Sequence, residues 1–196
     1  MFDDKAQMHT LEGVAAATIM LLVIVYAIDA TSMTPLTSST ANVHVETELQ
    51  VLGQDILGAL DYAEPGYNSK LKNDVLAWNG SENIWSGSAY CKKGDTTCAE
   101  RLNNNLEKIL NATLIGQGIA HNVEFTFLTN NGTSYSTERM IYDGDPSENA
   151  VIVSRKIALH DGDIDKTKYP NNPINDIDPS TSLYNIVDVK LILWRM

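Results

Sequence analysis

The chain has 196 residues, 43% hydrophobic and 20% charged, and a net charge of −11. Those proportions suit one globular domain of moderate size with an appendage and exclude a disordered chain. The acidic excess excludes nucleic acid as a partner, which needs clustered Lys and Arg, and disfavours docking on anionic lipid.

Residues 13–28 carry no charge. At 1.5 Å per residue they reach about 24 Å, a little short of a hydrocarbon core of about 30 Å. Their eight Leu, Ile and Val side chains favour insertion by roughly 2.4 to 4.8 kcal/mol. Lys5 precedes the segment and the next basic residue is Lys70. The positive-inside rule therefore places the N-terminus in the cytoplasm and the bulk of the chain outside it. Glu12 stands directly before the apolar run. A carboxylate at a membrane edge is costly, which makes it a functional candidate.

The stretch Lys5-Ala6-Gln7-Met8-His9-Thr10-Leu11-Glu12, followed by an apolar helix, resembles the class III signal of archaeal type IV pilins. The resemblance implies a short leader removed by a prepilin peptidase and a helix retained in the mature protein. It also implies a Glu that pairs with the terminal amine of a neighbouring subunit and sets its register. Cleavage between Gln7 and Met8 makes Glu12 the fifth mature residue; cleavage after Ala6 leaves Gln7 first. Both sites stay open. The leader is then 1–7, the long helix 8–63 with a kink near Pro35, and the head 64–196.

Pro35 interrupts the helical pattern, and Thr34 before it is biased away from α. Val45, Leu49, Leu52, Ile56 and Leu60 then recur on one helical face, until Pro65-Gly66 ends the pattern. A short helix is expected at Leu71 to Trp78 and another at Glu100 to Leu114. Cys91 and Cys98 flank a polar loop; a zinc site would need a second pair of ligands, so a disulfide is expected, which places the chain in an oxidising setting. Val123, Phe125 and Phe127 alternate with polar residues, and Asn130-Asn131-Gly132 predicts a hairpin into Thr133 to Met140. Strands are expected at Val151 to Ala158 and Tyr184 to Trp194. Segments 148–156, 183–187 and 193–196, with Thr34-Pro35-Leu36, resemble a group of archaeal pilin-like surface proteins of unassigned function. The fold class expected is α+β: a long N-terminal helix, hydrophobic then amphipathic, packed on a C-terminal antiparallel sheet, as in pilins.

Asn79, Asn111 and Asn131 each head an Asn-x-Ser/Thr sequon and are candidate glycan sites, Asn131 the foremost because it lies in a predicted turn. Asp161, Asp163 and Asp165 offer hard oxygen ligands two residues apart. Lys166 stands where an EF-hand needs Gly, so solvated acidic turns are the better reading and calcium the weaker one. His9, His44, His121 and His160 are far apart and no nucleophile or phosphate motif occurs; neither an enzyme nor a cofactor is expected. The function expected is a structural subunit that polymerises with itself through its N-terminal helix, resident in the membrane before assembly. The alternative is a membrane-anchored adhesin or minor pilin that does not polymerise.

Overall fold

The computed structural model describes residues 12–25, 40–129 and 132–195. It divides into two compact units, Met1–Val43 and His44–Met196. In the first, residues 12–25 form helix α1. This helix spans about 21 Å, and among the described residues no helix is long and apolar enough to cross a membrane. Residues 26–28 of the expected apolar segment, Pro35 and the leader sites Ala6, Gln7 and Met8 lie outside the described residues.

Helix α2 (Thr40–Asp61) carries the apolar stripe read from the sequence. Leu49, Ile56, Leu57 and Leu60 are buried, while Val45 and Leu52 pack at the margin of the same core. Gly53 lets the helix approach the sheet. A Cβ there would stand 2.6 Å from Val153 Cγ2 and 3.0 Å from Leu193 Cδ1. Helix α3 (Lys70–Ala77) starts where the Ser69 side chain accepts from Lys72 N. It buries Leu71, Val75 and Leu76.

Two short strands follow, β1 (Asn83–Trp85) and β2 (Tyr90–Lys92), paired antiparallel. Helix α4 (Asn105–Thr113) begins five residues later than the sequence suggests. Residues 100–102 are drawn away from it: Lys92 N donates to Glu100 O and Leu102 N to Tyr90 O, extending the β2 edge. Strands β3 (Ile119–Thr129) and β4 (Ser134–Ile141) form the expected hairpin, and β5 (Val151–His160) and β6 (Leu183–Arg195) complete the sheet. The strand order is β2-β1-β4-β3-β6-β5. All pairings are antiparallel except β1 with β4, which meet in parallel at Asn83 and Ile141. The fold class is therefore mixed α+β, built on one six-stranded sheet.

The alternation in β6 sends Val187, Val189, Leu191 and Leu193 into the main core, with Val123, Phe125 and Phe127 from β3 beside them. Trp78, just past α3, packs edge-on against Phe125 at 5.1 Å between ring centres. On the other face Ala120, Ile192 and Trp194 make a second, smaller cluster with Ala150. Loop 142–150 is tied to this face by Asn122, whose Nδ2 donates to Gly144 O and whose Oδ1 accepts from Asp143 N.

Candidate functional site

The most unusual surface in the structure is α1. Its residues from Glu12 to Val25 are exposed, and the large apolar side chains from Val14 to Val25 each show 52–67% of their surface. Soluble monomers rarely carry a continuous apolar surface of this kind, and where one occurs it marks an interaction site or a membrane contact. Its lone polar side chain between Gly13 and Val25 is Thr18, and the Thr18 hydroxyl donates to Val14 O at 2.8 Å within the helix. That internal bond leaves α1 no side-chain donor needing water. Covering these side chains would contribute roughly 10 kcal/mol before entropy is counted, at 1.5–3 kcal/mol for each fully buried aliphatic. Glu12 stands at the helix start, where the dipole favours negative charge.

The head is closed by covalent and polar fastenings. Cys91 and Cys98 form the expected disulfide, with Cα atoms 5.1 Å apart. Asp95 organises the ring it closes: one carboxylate oxygen accepts from Thr97 N and Thr97 Oγ1, the other from Glu100 N. The Glu100 amide, first among these donors, holds the Asp95 pKa down to about 2. Replacing both cysteines by Ser is expected to lower stability by about 2.5 kcal/mol, because the ring no longer restricts the unfolded chain. Urea unfolding of the oxidised protein and the variant checks this. An unchanged midpoint would show that the polar clasp alone fixes the loop.

Beside that ring lies a cleft of about 180 Å³ between the end of α3, β1 and the segment 100–104. Trp78 and Met140 line its apolar part, and Asn79, Asn103, Lys92 and Arg101 its rim. Asp74 also reaches it, yet its carboxylate is consumed by α4. Oδ1 accepts from Asn105 N and Asn105 Nδ2, and Oδ2 from Leu106 N at 2.7 Å. Burial raises the Asp74 pKa despite those bonds.

The remaining candidates separate. Asn79 and Asn111 are exposed; Asn131 lies outside the described residues. The three aspartates of the acidic turn do not converge. Asp163 takes Lys72 Nζ at 2.6 Å and His160 N, and these hydrogen bonds outweigh its burial and lower its pKa. Asp165 instead accepts from Thr167 N and Oγ1. Among the described residues no group of three His, Cys, Asp or Glu is placed to hold a metal ion. His121 is fully buried, its Nε2 2.6 Å from Tyr90 Oη. Sequence reasoning missed this pair and Asp74, because their partners lie 31 residues away; nothing local marks them.

No solved structure matches this chain. An uncharacterized protein of Archaeoglobus fulgidus is 29% identical over 196 residues, covering 98% of this chain and 94% of that protein. A family model matches residues 5–193, so apolar segment and head belong together in one recurring unit, and the chain belongs to the family of unknown function DUF7288.

Proposed function

We propose that the chain is a structural subunit of an archaeal type IV pilus-like surface filament, assembled through its N-terminal helix. The observation that carries this reading is α1: an exposed apolar helix whose one charged residue, Glu12, stands at its start. Two further facts support it. The family match begins at residue 5 and so includes this segment with the head, and the disulfide suits an oxidising exterior. A prepilin peptidase cuts the leader after Ala6 or Gln7, and the helix leaves the bilayer to pack against its copies. Glu12 meets a neighbour's terminal amine there. A charge pair in a dry core is favourable only when well paired, so it excludes misregistered subunits.

Glu12→Gln tests the reading. Cells carrying it should keep the chain in the membrane but lose surface filaments under the electron microscope. Filaments of normal number and length would overturn the proposal. The second reading, an anchored adhesin or minor pilin, draws on the cleft beside Asn79. Mass spectrometry of the mature N-terminus separates the filament subunit from the anchored adhesin, since a retained Met1 points to the anchored protein.

A further inference from the structure

Three sequons occur in the sequence, but the fold treats the two described ones differently. Asn79 is exposed in the turn that follows α3. Its Oδ1 accepts from Ser81 N at 3.1 Å, the self-closing turn that Asn forms two residues on. Gly80 sits at φ +81°, which Gly alone adopts without strain. Trp78 Nε1 donates to Ser81 O at 3.1 Å and fixes the turn to the core. The oxygen of the Asn79 amide is thus engaged, while its nitrogen belongs to an exposed side chain on a surface turn. Asn111 is exposed too, but it lies inside α4. The sequon hydroxyl there, Thr113 Oγ1, donates back to Ile109 O at 2.6 Å. Opening that sequon would unwind the helix end that buries Leu110 and Leu114, both fully enclosed.

We infer that Asn79 is an N-glycosylation site of the folded protein and that Asn111 is not. The inference rests on the extracytoplasmic location in the proposed function. The donor class is an oligosaccharide carried on a lipid phosphate or diphosphate, and the catalyst a membrane transferase. The Asn79 Nδ2 forms a bond to the anomeric carbon as the bond from that carbon to the carrier phosphate breaks. The carrier leaves with the bonding pair, and the amide proton passes to a base of the transferase. The sugar then stands at the rim of the cleft lined by Trp78, Asn79 and Asn103.

The test uses the full-length protein purified from its own host, with thiols blocked before trypsin digestion and peptide mapping by mass spectrometry. Residues 73–92 carry Asn79, and residues 109–139 carry Asn111 and Asn131. The expected result is glycan mass on Asn79, none on Asn111, and Cys91 joined to Cys98. Ser81→Ala should remove the glycan and Ser81→Thr should retain it, with both proteins keeping the disulfide. That pair separates loss of the sequon from loss of the fold. An unmodified Asn79 in a surface protein with an intact disulfide overturns this inference and leaves the proposed function standing. Free thiols in a cytoplasmic, unglycosylated protein overturn both. Glycan on Asn111 would show transfer before α4 forms and would sink the selection argued from the fold.

Discussion

Asp74→Ala is expected to lower the stability of the head by about 3 kcal/mol, near 10 °C in Tm for a domain of this size. The side chain is 4% exposed and lies on α3, yet its work is done at α4. The first amides of a helix have no partner within it. At α4 the Asn104 side chain takes Glu107 N, leaving Asn105 N and Leu106 N to the Asp74 carboxylate. Truncation orphans those two donors and the Asn105 amide together, at about 1–3 kcal/mol for each buried group that water does not reach. It also removes a negative charge from the positive end of the helix dipole. Asn is a poor substitute, since one face of its amide would present N–H to N–H. A double-mutant cycle with Asn105→Ala, read by urea unfolding, should give a coupling near 1 kcal/mol. A loss below about 1 kcal/mol for Asp74→Ala would mean that water caps α4 unaided.

The second large effect is a pH dependence set by His121. The ring is fully enclosed, and burial lowers its pKa to about 4. Nδ1 faces Ile119 O and Nε2 faces Tyr90 Oη, so the neutral ring donates at the first and accepts the tyrosine proton at the second. Burial likewise raises the Tyr90 pKa, which keeps that proton in place. Because the folded pKa lies below that of an unfolded His, near 6.5, the unfolded chain binds a proton that the folded one refuses. Stability is therefore full above about pH 6.5 and falls toward pH 4, by about 3 kcal/mol in total. His121→Gln should lower stability at neutral pH, since Tyr90 loses a well-placed acceptor, yet flatten the curve between pH 6.5 and 4. Equal slopes for both proteins across that window would assign the acid loss elsewhere. The lowered pKa of Asp163 and Asp165 acts in the same direction but further down. Their stabilisation is present above an ordinary carboxylate's pKa and is lost below it.

Periodicity carried much of this architecture. The stripe from Val45 to Leu60 and the alternation from Val187 to Leu193 are unambiguous because each is long enough to repeat its period several times. Strands β1 and β2, at three residues each, repeat nothing and stayed invisible. Cys91 and Cys98 announced their bridge by proximity, whereas the buried Asn185 and the half-buried Asn172 did not announce their use. Asn185 donates to Leu128 O and Asn175 O, and Asn172 donates to Val75 O and Leu76 O, pinning the long segment before β6 to the core. An Asn in a polar stretch reads as surface until the fold closes over it. The same holds for Gly53. Within a helical pattern it looks like a weak point, but it lies where α2 meets Val153 and Leu193.

The place of β6 in the sheet has a temporal side. Among the strands it comes last in the chain, yet it lies between β3 and β5 and is hydrogen-bonded to both. Neither neighbour pairs with the other, so strands made earlier wait with open edges until residues 183–195 arrive. Such edges recruit any strand they meet, and pairing that must close a long loop is slow. Under the proposed function the head crosses a membrane before it folds, and this order then delays completion of the sheet until residues 183–195 have followed.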